Sequence, residues 1–521
     1  MNPHSKKGLL STFPTQKAPV EAQLVKPEGD KLVYNTYNEK GDTISDFSKA
    51  GFYQGEYELP DSSKLPVVAT VEPSADPKAD DTARIQKVID EAFNNASNDY
   101  FKVIKLKAGR YNINSKGLQL KSGIILSGEG QGPDGTVIYA TDKTKYNVIN
   151  VSGVQPVATG ASHYITDDYV EAGSYEISLS TEDIKKYNAG DLITIYHEST
   201  KEWSDAMGMY GIINLYGDET TWKPGDAAMK MERTITAING NTLTLDIPLY
   251  VPLMKEYSPS YIYKTNDSGR IKNVGIENLR VESYFNGGQS DEEHANNGIV
   301  FQNAKDCYVR DVSCKYFIAS AIVCKAGAKQ ITVKNCSSLE PVSLINGSRR
   351  YSFMVDRDSQ QIVYTGCYAY YGRHDYVASR PATGPVVFSD NVSDFSESTS
   401  ETHGTWSTGI LYDNILMVGD NAGFMTSTNR GINGTAVSQG WGGAGVVFWN
   451  CLSPGIVAIK PYLDYQNFII GQWGFYESDA REKNAENILK SQVRVYKTTR
   501  EETVPDGVLV IEKDTSFMGN A

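Results

Sequence analysis

The sequence predicts an all-β chain whose main part, from about Gly269 to Gly474, is a right-handed parallel β-helix. A four-residue motif recurs there, with an apolar residue first and Asp, Asn or Gly third. A short strand and turn recurring at such a period is typical of a solenoid with one coil per repeat. The motif begins, at spacings of 24, 31, 24, 23 and 37 residues, at Val309, Val333, Tyr364, Phe388, Leu411 and Phe448.

One amphipathic helix precedes the repeat. The run Asp80–Thr82 has residue types that cap helix N-termini, and Ile85, Val88 and Ile89 follow at helical spacing. The next segments, KVIKLKAGRYNI and GLQLKSGIILSGEG, alternate apolar and polar residues as strands do. Since the end of a solenoid needs a cover, we expect the helix to cap the stack.

The chain divides into segments where this pattern changes. From about Val157 to Tyr263 the period is lost, and turn residues separate alternating strands, which predicts a β-rich insertion. We therefore expect an N-terminal arm (1–43), a cap with the first coils (44–156), the insertion (157–263), the main β-helix with active-site loops (264–474) and a C-terminal segment (475–521).

The composition limits the possible partners. A net charge of −13 and a pI near 5.1 argue against nucleic acid, because phosphate binding needs a basic surface. No apolar run approaches the ~18 residues of a membrane span, and the N-terminus shows no intact signal peptide. Whether the protein is a monomer or a homo-oligomer stays open.

The six cysteines fit a structural role. No CxxC pair is present, so a zinc site is not expected. Cys336, Cys367 and Cys451 fall at equivalent positions of the repeat. We predict that they are free, buried and stacked in the coil interior.

The irregular spacings indicate where function lies. Insertions in a solenoid become loops on a face that often binds ligands, and the two long spacings place loops around Arg349 and Arg430. Coils lie ~4.8 Å apart, so side chains from neighbouring coils can converge. We predict catalytic roles for His374, His403, Arg373, Asp375 and Glu401, and substrate binding by Arg349, Arg350, Trp406, Arg430 and Trp441.

These residue types favour β-elimination from a uronic-acid-containing polysaccharide. That reaction needs a base for the C5 proton and a positive group that neutralises the uronate carboxylate. His374 or His403 would be the base, and Arg373, Arg349 or Arg350 the neutralising cation. No cofactor or metal site is required, although Ca²⁺ can serve as the neutralising charge in such a reaction. Trp406 and Trp441 would stack on sugar rings.

Two alternatives remain open. A glycoside hydrolase would need two carboxylates at ~5–5.5 Å or ~6.5–9.5 Å, and the sequence offers Asp356, Asp375, Glu401 and Asp413. A non-catalytic glycan-binding solenoid would need no reactive group at all. Production of unsaturated sugars, of new reducing ends, or of neither distinguishes the three hypotheses.

Several of these stretches resemble a known superfamily. The residues Asp80–Thr82, Gly109–Tyr111 and Ile125–Gly130 resemble the N-terminal part of pectate-lyase-like β-helix proteins. The motifs RHDYV, GPVVF, ETHGTWSTG and LYDN, with the run Gly440–Cys451, are similar to uncharacterised bacterial members described as polysaccharide-degrading enzymes.

The resemblance covers about Ile44 to Gly474 and implies a β-helix, a polysaccharide substrate, and a secreted or periplasmic protein whose export signal this sequence lacks. Those relatives are expected to carry an HHRW-like string. This chain has His403-Gly-Thr-Trp406 there and lacks the arginine, so the relatives' chemistry transfers only in part.

Overall fold

The computed structural model describes residues 24–28, 31–94, 100–213, 219–419, 423–430, 439–470 and the short strand 489–491. All structural statements concern these residues. Among them, no helix combines the length and the apolar character needed to cross a membrane.

Most described strands pair in parallel, coil upon coil, which confirms the predicted parallel β-helix. The first column contains Val67–Val71, Lys102–Leu106, Ile124–Ser127, Ile271–Lys272, Gly275–Ser283, Ala304–Lys315, Lys329–Lys334, Gln360–Thr365, Thr383–Ser389, Ser407–Asp413, Gly443–Trp449, Phe468–Ile470 and Leu489–Ser491. The second column, joined to the first by the two longest of these strands, adds Gly109–Ile113, Thr136–Ala140, Ser337–Leu339, Tyr368–Tyr370, Val392–Asp394 and Leu416–Val418.

A separate nine-stranded sheet forms the remaining wall of the coils, and we call it the third sheet. Its strands are Leu118–Gln119, Asn147–Ser152, Asn297–Gln302, Ser320–Lys325, Tyr351–Asp356, His374–Ser379, Ser400–Thr402, Met425–Ser427 and Ile456–Ala458.

Aromatic rings stack through the coil interior along the recurring motif. Tyr364, Phe388, Tyr412 and Phe448 occupy successive coils in register. Their ring centroids lie 5.4, 5.2 and 5.0 Å apart, with the ring planes nearly parallel. At one coil the predicted alignment is therefore wrong by one residue, because Tyr412 rather than Leu411 matches the motif.

The backbone conformation explains the residue type at the third position of the motif. Asn335, Asp390, Asn414 and Asn450 all have positive φ, between 48° and 55°. Asn and Asp tolerate this left-handed conformation better than other residues with a side chain. Asn414, and not Asp413, therefore fills the turn position of its coil.

The helix Thr82–Asn94 packs its buried Ile85 and Ile89 into the core of the first coils. The Asp81 carbonyl accepts the first helical hydrogen bond, from the Ile85 N–H at 2.9 Å, so Asp81 is the N-cap residue. Asp80 Oδ1 accepts from the Thr82 backbone N–H at 2.9 Å, so the predicted capping run does satisfy a free N–H of the first turn. The role of this helix as a cap for the stack stays a prediction.

Within the segment expected to be an arm, Val25–Glu28 and Lys31–Tyr34 form an antiparallel hairpin. Val25 packs with Val447 and Phe468 on the outside of late coils, so burial of apolar side chains orders this part of the chain. Residues 1–23 lie outside the described residues.

The segment from Val157 to Asn266 leaves the coils and forms an antiparallel six-stranded sheet. Two small ribbons, a second helix (Lys201–Ala206) and a 3₁₀ turn (Ile184–Lys186) belong to it, and two further 3₁₀ turns lie earlier, at Phe52–Gly55 and Ser62–Lys64. The sheet consists of Val157–Tyr164, Glu176–Ser178, Leu192–His197, Met229–Asn239, Thr242–Leu245 and Tyr261–Asn266, and the ribbons are Tyr169–Val170 with Leu253–Met254 and Ile212–Ile213 with Glu219–Thr220.

The insertion and the coils share a buried aromatic cluster. Trp203 and Trp222 of the insertion pack with Trp406, Trp441 and Tyr465 of the coils. The ring centroids of Trp203 and Trp406 lie 5.2 Å apart, in an edge-to-face arrangement. This apolar contact fixes the insertion on the late coils.

The two long spacings correspond to two loops, one before a strand of the third sheet and one after a later strand of the same sheet. Residues 340–350 enter the strand Tyr351–Asp356, and residues 428–442 leave the strand Met425–Ser427. Of the second loop, residues 431–438 lie outside the described residues.

Candidate active site

A row of side chains crosses the outer face of the third sheet in register. Val323, Met354 and Val377 are successive members, and all are buried. The next two members are Glu401 and Thr426. The row thus changes from apolar to charged at Glu401, which is only 5 % exposed. A carboxylate buried to this degree needs charged or hydrogen-bonding partners.

Glu401 has such partners on both oxygens. Its Oε1 contacts His403 Nδ1 and the guanidinium of Arg430, while Oε2 accepts hydrogen bonds from Thr399 Oγ1 (2.6 Å) and Thr426 Oγ1 (3.1 Å). Burial disfavours the carboxylate anion, but the neighbouring His374, Arg430 and His403 hold the pKa of Glu401 well below its usual value. Glu401 is therefore a stable anion.

A hydrogen-bonded line extends from Glu401 to a tyrosine. Alternate residues of a strand share one face, so Glu401 and His403 point the same way. With the His403 proton on Nδ1, towards Glu401, its Nε2 accepts from the Tyr351 hydroxyl at 3.0 Å. Tyr351 and Glu401 thus orient the ring, and Arg430 Nη1 lies 2.6 Å from the same Nδ1. This Tyr351–His403–Glu401 relay resembles other triads, in which a carboxylate orients a histidine that acts on a hydroxyl.

His374 lies beside this relay. Its ring centroid is 5.0 Å from Tyr351 and 4.8 Å from His403. Its Nδ1 faces the Thr399 carbonyl oxygen at 2.6 Å, so Nδ1 carries the proton and Nε2 keeps a lone pair. Within the described residues, Nε2 has no hydrogen-bond partner. Burial lowers the pKa of His374 to about 3, so the ring is neutral at physiological pH.

Arg373 places a cation next to these rings. Its guanidinium carbon lies 6.0 Å from the centroid of the Tyr351 ring. In the described part of the chain, one of its terminal nitrogens, Nη1, has no hydrogen-bond partner. The arginine can therefore accept an anionic group without giving up a bond from that nitrogen.

Asp375, predicted to be catalytic, lies outside the cluster. Its carboxylate points into the coil and accepts hydrogen bonds of 2.6 Å from Ser352 and Ser393. These serine partners place the Asp375 carboxylate inside the coil, whereas the neighbouring His374 lies outside with Tyr351 and His403. Burial raises its pKa.

The two arginines predicted to bind substrate form ion pairs and hydrogen bonds with residues outside the cluster. Arg349 forms an ion pair with Glu292, in which its Nη2 is 2.8 Å from Oε2. Arg350 is buried and donates to the backbone carbonyls of Ser343 and Gln289. Both therefore stabilise the loop before Tyr351, and the prediction of substrate contacts is not supported for either.

The structure also corrects the two predicted sugar platforms. Trp406 is fully buried and Trp441 is 3 % exposed, both in the aromatic cluster that fixes the insertion. The Trp441 indole N–H donates to the Met207 carbonyl at 2.9 Å. A side chain at Gly440, whose φ is +63°, would collide with Trp222, which explains the glycine there. The sequence could not show that the insertion covers these rings.

The four carboxylates considered for hydrolysis do not converge. Asp375 points inward, Asp413 lies on the first column, and Asp356 is paired with Arg380 at the far end of its strand. This leaves Glu401 without a second carboxylate from this group of four.

Two aromatic groups were missed from the sequence. Tyr351 lies one coil before His374 and pairs with it in register, so their separation of about one period was the available signal. Tyr371 and Phe395 stack at the turn before Arg373, with centroids 5.4 Å apart. Tyr371 is 37 % exposed and offers the kind of flat face that was sought at the tryptophans.

The cluster does not fit Ca²⁺. Donor atoms of His374, Glu401 and His403 lie within 4.8 Å of one another. Two imidazoles and one carboxylate suit a transition metal, whereas Ca²⁺ takes six to eight oxygen ligands. Since Arg430 contacts the same Glu401 oxygen, a positive charge is already present.

Comparison with known proteins gives fold-level likeness. No family model and no curated protein matches the sequence. Solved structures do match. They include the tailspike gp49 of Pseudomonas phage LKA1, with 16 % identity, TM-score 0.43, and coverage of 75 % of this chain and 56 % of that one.

An alginate lyase from Paenibacillus sp. str. FPU-7 shows 9 % identity and a TM-score of 0.39, over 81 % of this chain and 99 % of the lyase. The tailspike of E. coli bacteriophage HK620, solved with a pentasaccharide, shows 12 % identity and a TM-score of 0.40, over 80 % and 56 %. The chain thus spans just over half the length of these tailspikes. At such identities and TM-scores the matches say nothing about the reaction, and the parallel β-helix is shown by the stacked parallel sheets of this chain itself.

Proposed function

We propose that this protein degrades an acidic polysaccharide by β-elimination, with the cluster around Glu401 as its active site. The observation that carries the proposal is the pairing of two kinds of group. Among the described residues, His374 Nε2 offers a lone pair without a hydrogen-bond partner on a neutral ring, and Arg373 next to it offers a guanidinium whose Nη1 has no partner. A base and a carboxylate-neutralising cation are what β-elimination from a uronide requires.

Each member of the cluster then has a role. His374 Nε2 removes the C5 proton while Arg373 binds the uronate carboxylate, on which negative charge develops. The Tyr351 hydroxyl donates a proton to the leaving glycosidic oxygen. His403, oriented by Glu401, holds the Tyr351 hydroxyl in position. The Tyr351 phenolate regains its proton from the imidazolium of His374, whose ring centroid lies 5.0 Å away. The C4–O bond breaks and a C4–C5 double bond forms, so no oxidant or water is consumed.

Access to the site requires movement. His374 is 2 % exposed, and Arg430 and Arg373 are the more exposed members of the cluster. The substrate therefore has to displace neighbouring chain to reach Nε2, as it does in enzymes with closing loops. Since such polymers occur outside cells, the proposal also places the protein outside the cytoplasm.

The test is a panel of uronides, including alginate, polygalacturonate and glycosaminoglycans, with their neutral counterparts as controls. The proposal predicts unsaturated uronide products, detected by ultraviolet absorbance, in the wild type and a loss of this signal in His374→Asn. New reducing ends without unsaturation would instead show hydrolysis. Binding without any product would show a glycan-binding solenoid, and either result would overturn the lyase.

A further inference from the structure

A second cleft lies where the insertion meets the coils. It has a volume of about 460 Å³, within the ~300–1,000 Å³ usual for ligand pockets. One wall is the start of the strand Val157–Tyr164, which is the exposed edge strand of the insertion sheet. The opposite wall comes from turns that follow third-sheet strands, including Asn303, Gly327 and Arg357.

The floor of the cleft is a fixed ion network. Glu232 is buried and receives two hydrogen bonds from Arg270, of 2.6 and 2.7 Å, and one of 3.1 Å from Lys329. These two cations hold the pKa of Glu232 at about 2 although burial opposes it. At the rim, Lys230 pairs with Asp358 at 3.1 Å. Each of these charged groups is therefore paired with an opposite charge within the network.

Two polar groups of the lining are uncommitted. Asn303 is 5 % exposed, and its Oδ1 accepts no hydrogen bond within the described residues. A buried carbonyl oxygen without a donor is unfavourable, so a hydroxyl donor from a ligand would satisfy it. The exposed Arg357 side chain forms no hydrogen bond or ion pair in the same part of the chain, and the nearby Asp356 carboxylate, with which its charge interacts, is itself paired with Arg380. The surplus charge that faces the cleft is therefore a single guanidinium.

We infer that this cleft is a second saccharide site, which binds an acidic oligosaccharide segment without cleaving it. Arg357 takes the carboxylate, Asn303 Oδ1 accepts from a sugar hydroxyl, and Tyr263 provides an aromatic wall. The guanidinium favours a carboxylate because it donates two parallel hydrogen bonds to it. A cleft lined by amides, hydroxyls and one tyrosine suits a polyhydroxylated ligand better than an apolar one.

The cleft is distinct from the catalytic cluster. Six residues separate Tyr351 from Arg357 along one strand and its end, which corresponds to about 20 Å. A polymer chain lying along this strand reaches both places, so the cleft would hold a remote part of the substrate. The inference goes beyond the proposed reaction, since binding here requires no chemistry at His374.

The experiment measures binding of trigalacturonate and of neutral maltotriose by calorimetry. His374→Asn serves as the background so that no turnover occurs. Arg357→Gln removes the uncommitted charge, and Ala158→Trp fills the cleft from the exposed edge strand. Lys334→Gln removes an equal charge from the outside of the first column and is the matched control.

We expect two classes of site for trigalacturonate in the background and in Lys334→Gln. Arg357→Gln should weaken one class about tenfold or more, as loss of a charge-assisted hydrogen bond does, and Ala158→Trp should abolish it. Equal binding in all four proteins, or equal binding of maltotriose, would overturn the inference. Absence of unsaturated product from every uronide of the panel would refute the lyase, whereas a trigalacturonate site that is weakened in Arg357→Gln and kept in Lys334→Gln would still support this cleft.

Discussion

Replacing Tyr351 by Phe removes one oxygen atom from the cluster and little else. The ring packs beside His374 and the outer apolar row, and a phenylalanine ring keeps these contacts. Two hydrogen bonds of the hydroxyl are lost: the 3.0 Å bond to His403 Nε2 and the 3.3 Å bond that it accepts from the Ser348 backbone N–H. The variant therefore separates the chemical role of the hydroxyl from the structural role of the ring.

The expected effects of Tyr351→Phe on stability and on catalytic rate differ widely. A neutral hydrogen bond contributes about 0.5–1.5 kcal/mol net, so loss of two should lower the free energy of unfolding by about 1–3 kcal/mol. Loss of a general acid or base costs typically ~10²–10⁴ in rate. Tyr351→Phe should thus lower kcat by at least about a hundredfold while KM and stability change little.

The assay follows unsaturated product on whichever uronide the wild type degrades, with urea unfolding in parallel. Tyr364→Phe is the matched control, since its hydroxyl donates to the Met354 carbonyl at 2.9 Å inside the coil. The control should lose similar stability and keep its activity. A Tyr351→Phe protein with activity within twofold of wild type would refute the assignment of the proton donor.

Three further outcomes are expected. The pKa of His374 is about 3 in the folded protein and about 6.5 in the unfolded chain, so the folded state loses stability as pH falls from about 6.5 towards 3. The free energy of unfolding of His374→Asn should therefore depend less on pH in that range. An unchanged pH dependence would contradict the burial of His374. Tyr371→Ala should raise KM several-fold with kcat kept if a sugar ring stacks on the exposed face of Tyr371, the role that we now assign to it in place of the buried tryptophans. An unchanged KM would remove Tyr371 from the site. Trp406→Ala should cost about 3–5 kcal/mol of stability in urea unfolding, whereas normal stability with a raised KM would return Trp406 to its predicted role.

The repeat made the fold predictable because each coil obeys the same local rule. A strand must turn with positive φ, so Asn, Asp or Gly returns at Asn335, Asp390 and Asn450. The same rule places apolar and aromatic residues inside. Cys336, Cys367 and Cys451 are free and buried as predicted, and the structure shows the other three cysteines free and buried as well. Because strand alternation depends only on residues close together in the chain, it can be predicted from a single sequence.

The site was predictable only in part, since it depends on which faces become covered. His374, Glu401, His403 and Arg430 do meet, because one-coil spacing brings such residues together. The exclusion of Trp406 follows from the docking of a segment some 200 residues earlier in the chain. No periodicity in the sequence encodes such a long-range contact.

The free cysteines give the stack a set of internal reporters. Burial raises the pKa of Cys314, Cys324 and Cys451, so these thiols do not react with alkylating reagents while their coils stay closed. They lie at different heights, from Cys307 in an early coil of the repeat to Cys451 in a late one. Because a solenoid can open from one end, the order in which the thiols become alkylated under mild denaturant would record the direction in which the molecule unravels.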